Sequence, residues 1–202
     1  AAVLRRFKNV FVLGFSMGGH LAIHFAAAEG DPRLRGVASL CAPLDLHATQ
    51  QHLDRPQQFV YRHCVLRGLK QIYAAVARKH DVPTPNAEVQ RCRTFYDWDR
   101  LVIAPRYGYD SPESFYRAQS AANVIGDLSI DTVMLMARND PIIPPRLSLP
   151  FLAAAPAGKL HVNVMLRGGH MQFPRGQSLG LDVARSGHVM SQLANYWLRL
   201  VG

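Results

Sequence analysis

Cysteine is scarce in this chain of 202 residues. Cys41, Cys64 and Cys92 are odd in number and show no C-x-x-C spacing. That argues against a disulfide scaffold or a zinc ribbon, and for reduced thiols in an intracellular, cytoplasmic setting. Long hydrophobic runs are missing as well, since no stretch approaches the roughly 18–20 apolar residues a bilayer-spanning helix needs. The opening residues Ala1-Ala2-Val3-Leu4-Arg5-Arg6-Phe7 lack the layout of a signal peptide. Acidic side chains number 14 against 23 Lys and Arg, a formal net charge of +9. Such an excess raises the question of nucleic acid, but the arginines are scattered. The densest group, Arg62, Arg67, Lys70, Arg78 and Lys79, has no interleaved glycine or aromatic nucleic-acid motif. A solvated helix face is expected there, with no nucleic-acid partner and at most weak association with an anionic membrane surface. Charged residues make up 18% and hydrophobic ones 49%, which describes a globular chain of one-domain size, able to bury a substantial core. Internal repeats and low-complexity segments are absent.

What is present begins with Gly14-Phe15-Ser16-Met17-Gly18-Gly19. A short apolar run over 9–14 reads as a buried strand, and an Ala-rich run over 17–29 reads as a helix stopped by Gly30-Asp31-Pro32. G-x-S-x-G at such a junction resembles the nucleophile elbow of α/β-hydrolases, where a tight, strained turn lifts the serine Oγ above the sheet. Gly14 and Gly18 are expected where strand and helix pack too closely for side chains. A plain helix-capping serine would not account for three neighbouring glycines.

Val37 to Cys41 reads as a second strand, and strand–helix–strand order implies a right-handed crossover and a parallel sheet. Residues 44–127 change character. Phe59, Val60, Cys64, Leu66, Leu69, Ile72, Tyr73 and Val76 give helical periodicity, Pro- and aromatic-rich segments follow, and no strand stands out. The α/β alternation resumes with a strand over 132–137, a short helix near 147–154, a strand over 161–166 and a helix over about 183–200. The expected fold is therefore α/β: the C-terminal part of an α/β-hydrolase, with a mostly parallel sheet, flanking helices and a helical cap insertion. Residues 1–43 and 128–202 form the core and 44–127 the cap, whose Tyr and Phe residues are expected to line an acyl pocket. Several strands normally precede the nucleophile in this fold. An elbow so near the start implies a piece of a longer protein, with the second oxyanion-hole donor in the part not given.

A serine hydroxyl becomes a useful nucleophile only when a histidine takes its proton and a carboxylate orients that histidine. In the α/β-hydrolase chain order the partners follow later core strands. Asp140 follows the 132–137 strand in Ala-Arg-Asn-Asp-Pro, and His170 follows the 161–166 strand in Arg-Gly-Gly-His. Asp140 could instead be an Asx-turn residue before Pro141, and His170 a surface loop histidine. Asp45, just after the 37–41 strand, is the alternative acid; Asp127 precedes its strand and sits at the wrong end. The backbone N–H of Met17 is the expected oxyanion donor. His20 and His24 have the i, i+4 spacing of a zinc pair, but no H-E-x-x-H glutamate lies between them, so packing or surface placement is expected. His47, His52, His63 and His80 lie in the cap with no evident ligand partners. No metal and no cofactor are expected.

Several segments in order resemble one branch of the superfamily, the YheT-like hydrolases, kin of the alpha/beta-hydrolase-domain lipid esterases and yeast medium-chain ester enzymes. They are the elbow, Ala42-Pro43-Leu44-Asp45-Leu46, Phe95-Tyr96-Asp97, Pro105-Arg106-Tyr107-Gly108-Tyr109, Ser114 to Ser120, Ala137-Arg138-Asn139-Asp140-Pro141 and Gly168-Gly169-His170. The resemblance implies ester hydrolysis on medium- or long-chain acyl substrates by Ser16, Asp140 and His170, without metal or organic cofactor. It also implies that the substrate partner is a small-molecule acyl ester. An alcohol acyltransferase with the same triad and a non-catalytic hydrolase-like fragment are the alternatives. His20 and Met171-Gln172-Phe173 depart from the branch's usual residues beside the site.

Overall fold

The apolar runs punctuated by glycine and proline become a parallel sheet. The computed structural model describes residues 2–183 and 187–202. A short helix α1 (Ala2–Arg6) leads into β1 (Val10–Phe15), α2 (Met17–Ala28) and β2 (Leu34–Leu40). Six helices follow: α3 (Leu46–Leu53), α4 (Phe59–Ala77), α5 (Asn86–Val89), α6 (Phe95–Trp98), α7 (Ala104–Arg106) and α8 (Pro112–Gln119). Then come β3 (Thr132–Ala137), β4 (Leu160–Met165) and α9 (Val189–Arg199). The chain divides into two compact units, one running to Asp45 and resuming at Ala121, the other spanning Leu46–Ser120. No described helix is long and apolar enough to cross a membrane.

In the first unit the strands lie in the order β1-β2-β3-β4, all pairs parallel. β3 is buried at every position, as a strand covered on both faces must be. Successive side chains point to opposite faces, so β3 feeds two cores. Met134 and Met136 pack with Ile23 and Ala26 of α2, while Val133, Leu135 and Ala137 pack with Val189 and Leu193 of α9.

Two expected helices differ from the sequence reading. The segment near 147–154 forms 3-10 turns, Pro145–Leu147 and Leu149–Ala154, because Pro144, Pro145 and Pro150 remove the amide donors an α-helix needs. The last helix begins at Val189 rather than near 183. Gly187 sits at φ 88°, and His188 caps the helix, its Nδ1 accepting the Met190 N–H at 3.3 Å. The intervening residues 184–186, part of the expected helix, lie outside the described residues.

The second unit contains no strand among the described residues. Its core gathers Leu66, Tyr73, Val89, Cys92, Trp98, Leu101 and Val102. The apolar periodicity of α4 splits in two: Leu66 and Tyr73 are buried, whereas Phe59, Val60 and Ile72 are exposed. Asp99 opens a π-helical turn (Asp99–Ile103), and its Oδ2 accepts the Tyr116 hydroxyl at 2.5 Å. Burial pushes the Asp99 carboxyl up to about 7; the Tyr116 hydrogen bond opposes this and the Asp54 charge adds to it. The folded value lies above the ordinary 3.8, so the folded state holds the proton more tightly. Stability therefore falls as pH rises from about 4 to about 7 and is lowest above that window. Asp99→Asn keeps an acceptor for Tyr116 and removes the ionisation. Thermal unfolding across that window is expected to show a loss of stability in the parent chain that the variant lacks; equal slopes would contradict it.

Candidate active site

Ser16 lies between the end of β1 and the start of α2, with φ 51° and ψ −121°. That backbone is costly for a residue with a Cβ, and neighbouring bonds hold it in place. The Ser16 N–H donates to Leu40 O of β2 at 2.8 Å, and its carbonyl accepts the first helical amides, Gly19 N–H at 2.9 Å and His20 N–H at 3.1 Å. A Cβ at Gly14 would stand 2.1 Å from the Gly18 carbonyl oxygen, so only glycine fits where strand and helix cross. Gly18 itself would meet nothing within 4 Å. The second close approach belongs instead to Gly19, whose Cβ would come within 2.9 Å of Ser39 Oγ and 3.0 Å of the Ala42 Cβ. Gly18 matters for the carbonyl it presents to Gly14.

The loop after β3 brings Asp140, 3% exposed, to the carboxyl end of the sheet. Its Oδ1 accepts the N–H groups of Ile142 at 2.8 Å and Ile143 at 3.0 Å, the Asx-type turn before the prolines. Oδ2 faces His170 Nδ1 at 2.9 Å, and His170 Nε2 faces Ser16 Oγ at 3.0 Å. Asp140 is thus both the turn residue and the partner of His170. Burial pushes its carboxyl up, but the hydrogen bonds from His170, Ile143 and Ile142 outweigh this and hold it below the usual carboxylate range. An ionised Asp140 can only accept, so His170 carries its proton on Nδ1 and donates it. Nε2 is then the acceptor for the Ser16 hydroxyl. Asp45, the other candidate acid, is not the carboxylate on His170. Met17 is the first residue of α2, and helix geometry leaves its N–H without an intrahelical acceptor.

The His170 loop is shaped by Gly168, at φ 128°, where a Cβ would lie 2.5 Å from Gln172 O. The Gly169 N–H closes the turn on Gln172 O at 3.0 Å.

Cys41 went unnoticed in the sequence because only its pairing with other cysteines was considered there. It directly follows β2 at φ 50°, its N–H donates to Leu135 O, and its Sγ accepts the Met171 N–H at 3.4 Å. Ser16, Cys41 and Met171 are the non-glycine residues with left-handed φ among the described residues, and all three belong to this site. Position at a strand's carboxyl end was the available signal. Burial pushes the Cys41 thiol up to about 12, the Met171 N–H opposing and the Asp140 charge adding to it. The thiol stays protonated and is no rival nucleophile. Cys41, Asp140 and His170 place possible metal-ligand atoms within 4.8 Å of one another. Asp140 and His170 are already hydrogen-bonded, and the thiol resists ionisation, so the donor set suits a proton relay better than a cation. His20 donates from Nδ1 to Pro43 O at 2.9 Å and packs against His24, ring centroids 4.9 Å apart.

A parallel sheet flanked by helices, with a serine at the strand-to-helix elbow and an aspartate and a histidine on later strand ends, defines an α/β-hydrolase. The chain belongs to the serine aminopeptidase S33 family, whose model matches residues 3–173. It is similar to the embryogenesis-associated protein EMB8 of Picea glauca, 25% identical over 179 residues covering 84% of this chain and 38% of that protein. It is also similar to YheT of Escherichia coli, provisionally classed as an esterase, at 26% over 195 residues, 91% of this chain and 54% of that one. The monoacylglycerol lipase of Saccharomyces cerevisiae is 23% identical over 149 residues, 69% of this chain and 33% of the lipase. The chain thus spans about half or less of the length of these relatives. Among solved structures, acetyl xylan esterase 1 from Thermoanaerobacterium sp. superposes with a TM-score of 0.53 at 18% identity, covering 96% of this chain and 46% of the other. That likeness concerns the fold.

Proposed function

We propose that this chain carries the catalytic centre of a serine carboxylic-ester hydrolase that works through an acyl-enzyme on medium- or long-chain acyl esters. The observation behind the reading is the continuous series Ser16 Oγ, His170, Asp140, with spacings of 3.0 and 2.9 Å. His170 Nε2 takes the Ser16 proton as Oγ attacks the ester carbonyl carbon. The Met17 N–H donates to the oxyanion of the tetrahedral intermediate. His170, now doubly protonated and stabilised by ionised Asp140, gives its Nε2 proton to the leaving alcohol oxygen as the C–O bond breaks. Water then attacks the acyl-Ser16 ester, passing a proton to Nε2 and releasing the acid and the free serine. The names of the YheT and monoacylglycerol lipase relatives favour an ester, and a lipid-like one, as the substrate. In this reading the helical segment 44–127, inserted in the chain between β2 and β3, is the enzyme's cap. The proposed setting is the cytoplasm, where the free cysteines stay reduced.

Rapid mixing with a chromogenic nitrophenyl acyl ester tests the covalent step. The expected result is a burst of one equivalent of nitrophenol per Ser16, followed by slower steady turnover, with the acyl group recovered on the Ser16 peptide. Added ethanol would appear as ethyl ester if an alcohol, rather than water, takes the acyl group. Turnover without any acylated serine would rule the mechanism out.

A further inference from the structure

Of the three non-glycine residues with a left-handed backbone among the described residues, the proposed chemistry accounts for Ser16 alone. Such backbone is costly and persists only where the surroundings hold it. The other two, Cys41 at φ 50° and Met171 at φ 61°, are joined to each other, the Met171 N–H donating to Cys41 Sγ at 3.4 Å. Met171 directly follows His170 in the chain. Cys41 directly follows β2 and is anchored to the middle of the sheet, its N–H donating to Leu135 O of β3 at 2.8 Å. The residue is fully buried, and its Sγ lies within 4.8 Å of an Asp140 carboxylate oxygen and of a His170 ring nitrogen. The Asp140 carboxylate is the hydrogen-bond acceptor beside the thiol. One side chain therefore meets both the acid and the loop that carries the base. A residue that merely filled space would need neither the strained backbone nor polar partners on both sides.

We propose that Cys41 is a positioning residue for the acyl transfer: it braces the His170 loop against Asp140 by accepting the Met171 N–H on Sγ and donating its S–H to the carboxylate. The role rests on the proposed catalytic reading and adds a member to its machinery. His170 needs such a brace because Gly168 and Gly169, the two residues before it, confer little rigidity of their own. The bond from Gly169 N–H to Gln172 O, at 3.0 Å, closes the turn on itself, whereas the Met171–Cys41 bond ties that turn to the sheet. His170 must hold Asp140 through Nδ1 at 2.9 Å and reach Ser16 Oγ through Nε2 at 3.0 Å at the same time. Catalysis falls steeply when reacting groups are displaced by about 1 Å. Burial keeps the thiol protonated, so it remains a donor wherever Asp140 is ionised.

Steady-state hydrolysis of a nitrophenyl acyl ester and the rate of Ser16 labelling by a fluorophosphonate, measured beside thermal unfolding of this chain, test the role. Cys41→Ala is expected to lower kcat and the labelling rate about tenfold each, the order of one lost hydrogen bond. KM should stay nearly unchanged, because the buried Cys41 touches no substrate. Alanine keeps the Cβ and so adds no backbone strain. Cys41→Gly adopts φ 50° freely, which keeps the test open should alanine weaken the fold, and it should show the same tenfold loss. Cys41→Ser restores a donor and an acceptor and should return kcat to within about threefold of the parent chain. An active parent whose folded alanine and glycine variants keep kcat within about threefold would overturn the role and leave the catalytic reading standing. A folded serine variant as impaired as the alanine one, or a loss confined to KM, would overturn it equally. A parent chain that neither turns over the ester nor labels at Ser16 would overturn the catalytic reading, and the role of Cys41 with it.

Discussion

Ser16→Ala is expected to lower ester turnover by about five to six orders of magnitude while the fold survives. The loss is large because the hydroxyl forms the covalent bond, and no other group stands in its place. The Cys41 thiol nearby is held protonated, its pKa at about 12. Stability should change little, for three local reasons. The Ser16 side chain makes no capping bond to α2. The strained backbone at φ 51° is held by main-chain bonds to Leu40, Gly19 and His20, which alanine retains. Alanine also carries the same Cβ, so it inherits the same strain and adds none. Turnover with nitrophenyl esters and thermal unfolding, measured on one preparation, separate the two effects. Activity retained in the variant would place the nucleophile elsewhere.

Asp140→Asn should cost about four orders of magnitude in kcat, again with the fold kept. Two backbone amides dictate the direction of the amide. Ile142 and Ile143 both donate to Oδ1, so an asparagine must keep its carbonyl oxygen there and turn its NH2 toward His170. That group donates where the carboxylate accepted. His170 Nδ1 then becomes the acceptor, its proton moves to Nε2, and the ring can no longer take the Ser16 proton. A loss in kcat with KM nearly unchanged is the expected signature, since Asp140 touches no substrate. A change of less than about tenfold would mean that His170 does not depend on this carboxylate for its tautomer.

How much of this was legible beforehand follows from the physics of each segment. β3 announces itself because a strand buried on both faces must be continuously apolar, whereas β1 and β4, only partly buried, show as short runs rich in apolar residues. The elbow shows because a tight turn beside a helix start requires glycine at 14. The order of Ser16, Asp140 and His170 could be read because each follows an apolar strand run. Other features depend on tertiary contacts that no local pattern encodes. The second strand reads as Val37 to Cys41, yet β2 starts at Leu34 and pairs with β1 from there. The steric need at Gly19 rather than Gly18 is set by Ser39 and Ala42, distant in sequence. Cys41 looks like any small apolar residue until the Met171 loop folds against it. On α4 the seven-residue spacing of Phe59, Leu66 and Tyr73 is real, but the core takes only Leu66 and Tyr73, while Val60 and Ile72 stand off that stripe and stay exposed.

The central claim is that His170 and Asp140 make Ser16 a nucleophile, and reaction with a fluorophosphonate followed by peptide mapping tests it most directly. The probe phosphonylates only a serine whose proton is being removed, and it needs no knowledge of the acyl substrate. One adduct is expected, on Ser16, formed by the parent chain and lost in both Ser16→Ala and His170→Ala. A parent chain that forms no adduct, or one labelled at another residue with Ser16 untouched, would contradict it.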